Sequence, residues 1–150
     1  GFRALSATLD AGNAHLAAEL LGIAQESFDR TLQYMKERKQ FGALIGSFQA
    51  LQHRAAHWWS EIELCKSVVL KSLQALDEGD VKSPALASIA KAKLCEVAEL
   101  STNEAIQIHG GIGMTDEYEI GFFIKRARPA QMLYGDYNYH ANRFALLSGY

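Results

Sequence analysis

Apolar residues recur along most of the chain at helical spacing. Between residues 48 and 77 they fall at Leu51, Ala55, Trp58, Ile62, Cys65, Val69, Leu73 and Leu76, in steps of three or four. Such steps share one face of a helix, whereas a strand needs steps of two. This predicts a helix over about Phe48–Asp77, ended by Glu78-Gly79-Asp80. An earlier helix is expected over about Ser6–Arg38. Leu9, Leu16, Leu20 and Ile23 form its stripe, which Phe28, Leu32 and Met35 continue. Small residues, among them Ala14, Ala17 and Ala24, leave room for a neighbouring helix to approach closely.

Ser83-Pro84 announces a third helix, with serine as the N-cap and proline at the first helical position, where its missing N–H costs nothing. Ala90, Leu94, Val97, Ala105 and Ile108 line its buried side, and His109-Gly110-Gly111 ends it. A shorter helix is expected over Asp116–Arg126, with Asp116 and Glu119 as a capping pair. A last helix restarts at Pro129 and is interrupted at Gly135. No segment keeps a two-residue alternation, and neither an internal repeat nor a low-complexity stretch is present. The predicted fold is all-α: an antiparallel up-and-down bundle in one domain spanning residues 1–150.

Composition narrows the function classes. Lys and Arg number 15 against 17 Asp and Glu, a net charge of −2. Without a positive excess, a nucleic-acid binder driven by phosphate neutralisation is disfavoured. Two cysteines, Cys65 and Cys95, give no disulfide framework and read as core thiols. No run approaches the roughly 18 apolar residues of a membrane span. No secretory signal is evident, and a cytoplasmic location is expected. The chain opens on Gly-Phe-Arg, as a fragment or a cloning remnant would.

Two segments carry more than helix punctuation requires. Glu37-Arg38-Lys39-Gln40-Phe41-Gly42 leads into Ile45-Gly46-Ser47-Phe48-Gln49. A helix C-terminus favours cations, which accounts for the basic pair but not for the two aromatic residues that bracket the turn. An arginine beside two rings and a Gln amide also suits a phosphate-bearing aromatic ligand. In Gln107-Ile108-His109-Gly110-Gly111-Ile112-Gly113, one glycine suffices for a C-cap, and three exceed it. The excess suggests backbone that must approach something closely.

The order and separation of these two blocks resemble the C-terminal domain of the acyl-CoA dehydrogenase family. The resemblance rests on Arg38-x-x-Phe41-Gly42-x-x-Ile45-x-x-Phe48-Gln49-x-x-Gln52 and on Gln107-x-x-Gly110-Gly111-x-Gly113 leading to Glu117-Tyr118. It implies a helical domain that follows an N-terminal helical domain and a middle β-domain, both absent from this chain. It implies FAD as cofactor, with Arg38 on the pyrophosphate and Phe41 and Gln49 beside the cofactor. Gln107, Gly110 and Gly111 would receive the adenosine-diphosphate part from an adjacent subunit. The implied reaction converts an acyl-CoA thioester to the 2-enoyl-CoA, by removal of an α-proton and transfer of the β-hydride to flavin. A tetramer and an electron-transfer flavoprotein, or a similar acceptor, are implied as partners.

The base is where the chain departs from the pattern. Counted from Gln107, the usual Glu position falls on Tyr134, with Gly135 matching the family glycine; the alternative position on the first helix is Gly12. Asp136 is the nearest candidate base, with helix capping or a contact with His140 as its other readings. Asp10 matches a substrate-side aspartate. The two vacancies also resemble a subunit of heteromeric enzymes whose partner supplies the Glu, leaving this chain a silent structural subunit.

Elsewhere, His53 and His57 share a helix face but lack further ligands, so no metal is expected. No Glu is followed three residues later by His, so the di-iron bundle motif is missing. Lys125-Arg126-x-Arg128 reads as a solvated face or subunit salt bridges, with a CoA phosphate as the sharper option.

Overall fold

A computed structural model describes all 150 residues. Five helices dominate: α1 (Phe2–Glu37), α2 (Gln49–Asp77), α3 (Ser83–His109), α4 (Ile120–Met132) and α5 (Tyr137–Leu147). The all-α bundle expectation holds. A two-stranded antiparallel ribbon joins α1 to α2, pairing β1 (Lys39–Gln40) with β2 (Ala43–Leu44), and a 3₁₀ turn follows at Ile45–Ser47. A second 3₁₀ turn, Gly110–Met114, follows α3.

The third helix is the hub and packs against each of the other four. Its buried residues surround the axis: Leu94, Val97 and Ala105 on one side, Ser88, Lys91 and Cys95 on another. The predicted stripe on α3 was therefore only part of its buried surface. Ala14, Ala17 and Ala24 of α1 are fully buried, as are Ala90, Ala98 and Ala105 of α3, which lets these helices pack closely. Trp58 of α2 meets Phe28 edge-on at 5.0 Å and donates its indole N–H to Ser101 Oγ at 2.7 Å. This pairing satisfies the one polar atom of the ring inside the core. Cys65 and Cys95 are free and buried, and burial raises both thiols, Cys65 to about 11. They are inert core residues.

Several expected boundaries shift for physical reasons. The ribbon β1–β2 was not predicted, because two-residue arms are too short to show alternation. Helix α1 begins at Phe2 rather than Ser6. Ser83 lies inside α3 and caps nothing; Lys82 precedes the helix, and its N–H donates to Asp80 Oδ1. Asp116 and Glu119 do not form a capping pair, since α4 starts at Ile120 without a side-chain cap. Instead Asp116 accepts from Lys125 at 2.8 Å, and Glu119 pairs with Arg30 of α1. Pro129 sits within α4 rather than starting a helix. It is exposed, so the carbonyl its ring leaves unbonded can meet water. Leu9 is more than one-third exposed, off the buried stripe. His53 and His57 are both exposed, and no cluster of metal-ligating side chains exists.

Candidate functional site

The first candidate region is built at the C-terminal ends of α1 and α3. Arg38 ends α1 with extended backbone, and its carbonyl accepts the Ile45 N–H at 2.8 Å. Phe41 and Gly42 both have positive φ, 54° and 79°, as a two-residue type I′ hairpin turn demands. Glycine adopts that conformation freely, but phenylalanine does so at a cost of about 1–3 kcal/mol. Phe41 is also 95% exposed. Burial within the chain explains neither the strain nor the ring. Phe41 and Phe48 lie with centroids 6.3 Å apart. The turn is braced from below, because Gln52 donates to the Gly46 carbonyl at 2.9 Å and a Cβ on Gly46 would stand 2.8 Å from the Met35 carbonyl oxygen. Gln49 opens α2 and is exposed. Arg38 is exposed too, and takes part in none of the ion pairs.

The glycines after α3 divide by cause. Gly110 has φ 65° and ψ −140°, a region open essentially to glycine alone. Gly113 is held by packing, since a Cβ there would lie 3.0 Å from the Ile106 carbonyl and from His109 Cβ. Gly111 has an ordinary φ and open space where a side chain would go. Nothing inside the chain requires it to be glycine. Gln107 is exposed one turn earlier. His109 stacks on Tyr34 of α1 at 4.2 Å and leans on Tyr118 at 5.0 Å. Tyr34 is one turn before Arg38, so this stack brings the arginine turn and the glycine turn to the same end of the bundle. Burial lowers the His109 pKa, and the neutral ring donates from Nδ1 to the Ala105 carbonyl at 2.7 Å.

The second region surrounds the break between α4 and α5. Lys91 is 0% exposed and donates from Nζ to the carbonyls of Gln131, Leu133 and Gly135 at 2.9–3.1 Å. The Gln131 and Leu133 carbonyls belong to the end of α4, where helix geometry leaves carbonyls without intrahelical partners, and Gln131 also accepts from Cys95 Sγ at 3.6 Å. Burial lowers the Lys91 pKa, an effect that Cys95 and Asp136 oppose. Tyr134 is held at φ 60°, with His140 Nε2 3.1 Å from its carbonyl. Burial pushes His140 down to about 4, so the ring is neutral at pH 7. Gly135 has φ 113°, and a Cβ there would overlap the Tyr139 ring. Asp136 is the N-cap of α5, accepting the Tyr139 N–H at 2.9 Å.

This loop lays the Tyr134 ring on Gly12, where a Cβ would be 3.0 Å from the ring. The two positions that the resemblance marks for a base therefore face each other, and neither carries a carboxylate. The nearby carboxylates are engaged. Asp10 is buried, 2.7 Å from Arg143 Nη2. Arg143 also donates to Ser88 Oγ at 2.8 Å. Asp10 and Tyr134 line one cleft of about 350 Å³. Asp136 lines a different groove, with Glu96, Glu99 and Arg128. Of the residues read from the sequence as substrate-side or catalytic, the structure brings Asp10 to the Gly12–Tyr134 contact and leaves Asp136 apart.

Comparison with known proteins decides the family. The sequence pattern described as Acyl-CoA dehydrogenase, C-terminal domain, matches residues 1–146. The chain belongs to the acyl-CoA dehydrogenase family. It is 42% identical over 130 residues to the probable acyl-CoA dehydrogenase YngJ of Bacillus subtilis, covering 85% of this chain and 33% of that protein. It is 34% identical over 147 residues to the short/branched chain specific acyl-CoA dehydrogenase of Bos taurus, covering 97% and 33% respectively. The solved butyryl-CoA dehydrogenase of Megasphaera elsdenii superposes with a TM-score of 0.93 at 33% identity, covering 98% of this chain and 39% of that one. The chain thus spans about a third of the length of the curated relatives it matches.

Sequence reasoning missed Lys91, Tyr139 and Arg143, which shape the Tyr134 region, and met His140 only as a contact of Asp136. Lys91 carried a usable signal, as a lone cation on the apolar side of a helix. His140, four residues after Asp136, carried a weaker one. The basic cluster Lys125-Arg126-x-Arg128 is absorbed by ion pairs within the chain, to Asp116, Glu19 and Glu99. No helix is long and apolar enough to cross a membrane.

Proposed function

We propose that this chain is the C-terminal domain of an FAD-dependent enzyme that oxidises an acyl-CoA thioester to its 2-enoyl-CoA, the N-terminal helical and middle β-domains lying outside these 150 residues. The observation that carries this reading is the pairing, at one end of the bundle, of an unpaired Arg38 with a Gly111 that no internal contact explains. A guanidinium suits diphosphate oxygens, and bare backbone lets a diphosphate come close. Phe41 and Gln49 flank the same face, with Gln107 and Gly110 beside Gly111. These residues would hold the adenosine-diphosphate half of FAD, presented by a neighbouring subunit of a tetramer. FAD when bound supplies the hydride acceptor. An electron-transfer flavoprotein or similar acceptor then reoxidises the enzyme.

For the α-proton this domain offers no free carboxylate at position 12 or 134. Asp136 acts in this reading as the cap of α5, which leaves its catalytic role as the weaker assignment. A second reading follows from the same vacancy: the chain completes FAD sites in a heteromer, and a paired subunit supplies the base.

The test is expression of the full-length protein. Stoichiometric FAD and acyl-CoA-dependent dye reduction are expected if the reading is right, and a flavin-free protein would refute it. Asp136→Asn keeps an N-capping side chain and removes the carboxylate. Activity that survives it excludes Asp136 as base. Activity that appears only with a co-expressed, Glu-bearing homologous subunit selects the heteromer.

A further inference from the structure

The cleft that holds Asp10 and Tyr134 has two unlike walls. One is the apolar first turns of α1, where Phe2, Leu5 and Leu9 are all exposed. The other is polar and carries Ser6, Asp10, Asn13, Tyr134, Tyr139 and Arg143. Asn13 is 3% exposed, yet its Oδ1 has no hydrogen-bond partner. Asp10 Oδ1, by contrast, has Arg143 Nη2 at 2.7 Å and is held in that ion pair. Buried acceptors are almost always paired, so the orphaned Asn13 oxygen in this cleft calls for a donor from outside. Arg143, which lines the same cleft, is taken up by Asp10, by Ser88 and by the Pro84 carbonyl.

We infer that the acyl group taken by this cleft bears a hydroxyl, donated to Asn13 Oδ1, on an otherwise apolar body that lies against Phe2, Leu5 and Leu9. The inference rests on the proposed acyl-CoA reading and adds the substrate class. A plain alkyl chain would cover the Asn13 oxygen without bonding it, which is the costly arrangement for a buried polar group. A site built to accept a hydrogen bond from a substrate hydroxyl discriminates against the analogue that lacks it.

The test uses the full-length protein and calorimetric binding of hexanoyl-CoA against its 4-, 5- and 6-hydroxy derivatives, without an electron acceptor. At least one hydroxylated thioester is expected to bind about tenfold tighter than hexanoyl-CoA. Asn13→Leu should bring that ratio close to one while leaving the melting temperature unchanged or raised, because an oxygen without a partner contributes nothing to the fold. Asn13→Asp, which keeps an acceptor oxygen at the position, should preserve the preference. Equal binding of all four thioesters by the parent protein would overturn the inference alone. So would a preference that survives Asn13→Leu, or a lowered melting temperature in that variant, since the oxygen would then already be bonded in the protein. Failure to bind any thioester would overturn the acyl-CoA reading as well.

Discussion

The arginine–glycine end and the Tyr134 loop are both glycine-containing turns at helix termini, yet they are built on opposite plans. At the first, the chemistry-bearing groups point outward: Arg38 lacks an ion partner, Phe41 is bare, and Gly111 has open space beside it. At the second, groups are consumed internally. Lys91 is spent on three carbonyls, His140 on Tyr134 and Asp136 on the α5 cap. The first surface is left unsatisfied, whereas the loop, saturated from within, holds a shape. Substitutions should separate the two by what they damage.

The largest effects belong to the loop. Lys91→Met leaves three carbonyls without their donor, and we expect a loss of about 3–4 kcal/mol of stability in urea unfolding. Gly135→Ala combines a forbidden φ with overlap on Tyr139 and should cost about 2–4 kcal/mol. A stable Lys91→Met variant would mean that the loop is not held from within. Next comes Tyr134→Glu, which places a carboxylate over Gly12. In the full-length protein it should raise acyl-CoA-dependent dye reduction about a hundredfold, the lower end of a general base's contribution. No change would show that a base already reaches the site.

Acid provides a smaller probe of the same region. His140 titrates near 4 in the fold against about 6.5 unfolded. Between those values the unfolded chain binds the extra proton, so stability falls as pH drops from about 6.5 towards 4 and is flat above. The loss is about 2–3 kcal/mol by pH 4. Urea midpoints measured against pH should show this slope, and His140→Gln should flatten it. The mildest expectation concerns the other end. Arg38→Ala and Gly111→Ala should leave unfolding within about 0.5 kcal/mol of the parent, while each weakens FAD retention by the full-length protein about tenfold. If either destabilises the fold instead, the contrast between the regions fails.

What could be read from the residues alone follows the same division. Arg38-x-x-Phe41-Gly42 and Gln107-x-x-Gly110-Gly111 are contiguous, so their spacing is visible in one dimension. The helices were visible because burial repeats with the turn of the helix, as at Trp58, Ile62, Cys65 and Val69. The Tyr134 region was not, because Asn13, Lys91 and Arg143 come from three helices that only packing unites. Local punctuation also misled where tertiary contacts override it: Pro129 was read as a helix start, but α4 runs through it, and Ser83 was read as a cap it does not form. The strain at Phe41 and Tyr134 lay beyond any residue pattern, since neither residue type favours positive φ.

The grip of Lys91 has a consequence for motion. One ammonium joins the last turn of α4 to the residues that lead into α5, so neither helix end can open without releasing the other. Their amide protons should therefore exchange with solvent as a single block, at one shared rate, rather than fraying separately from each terminus.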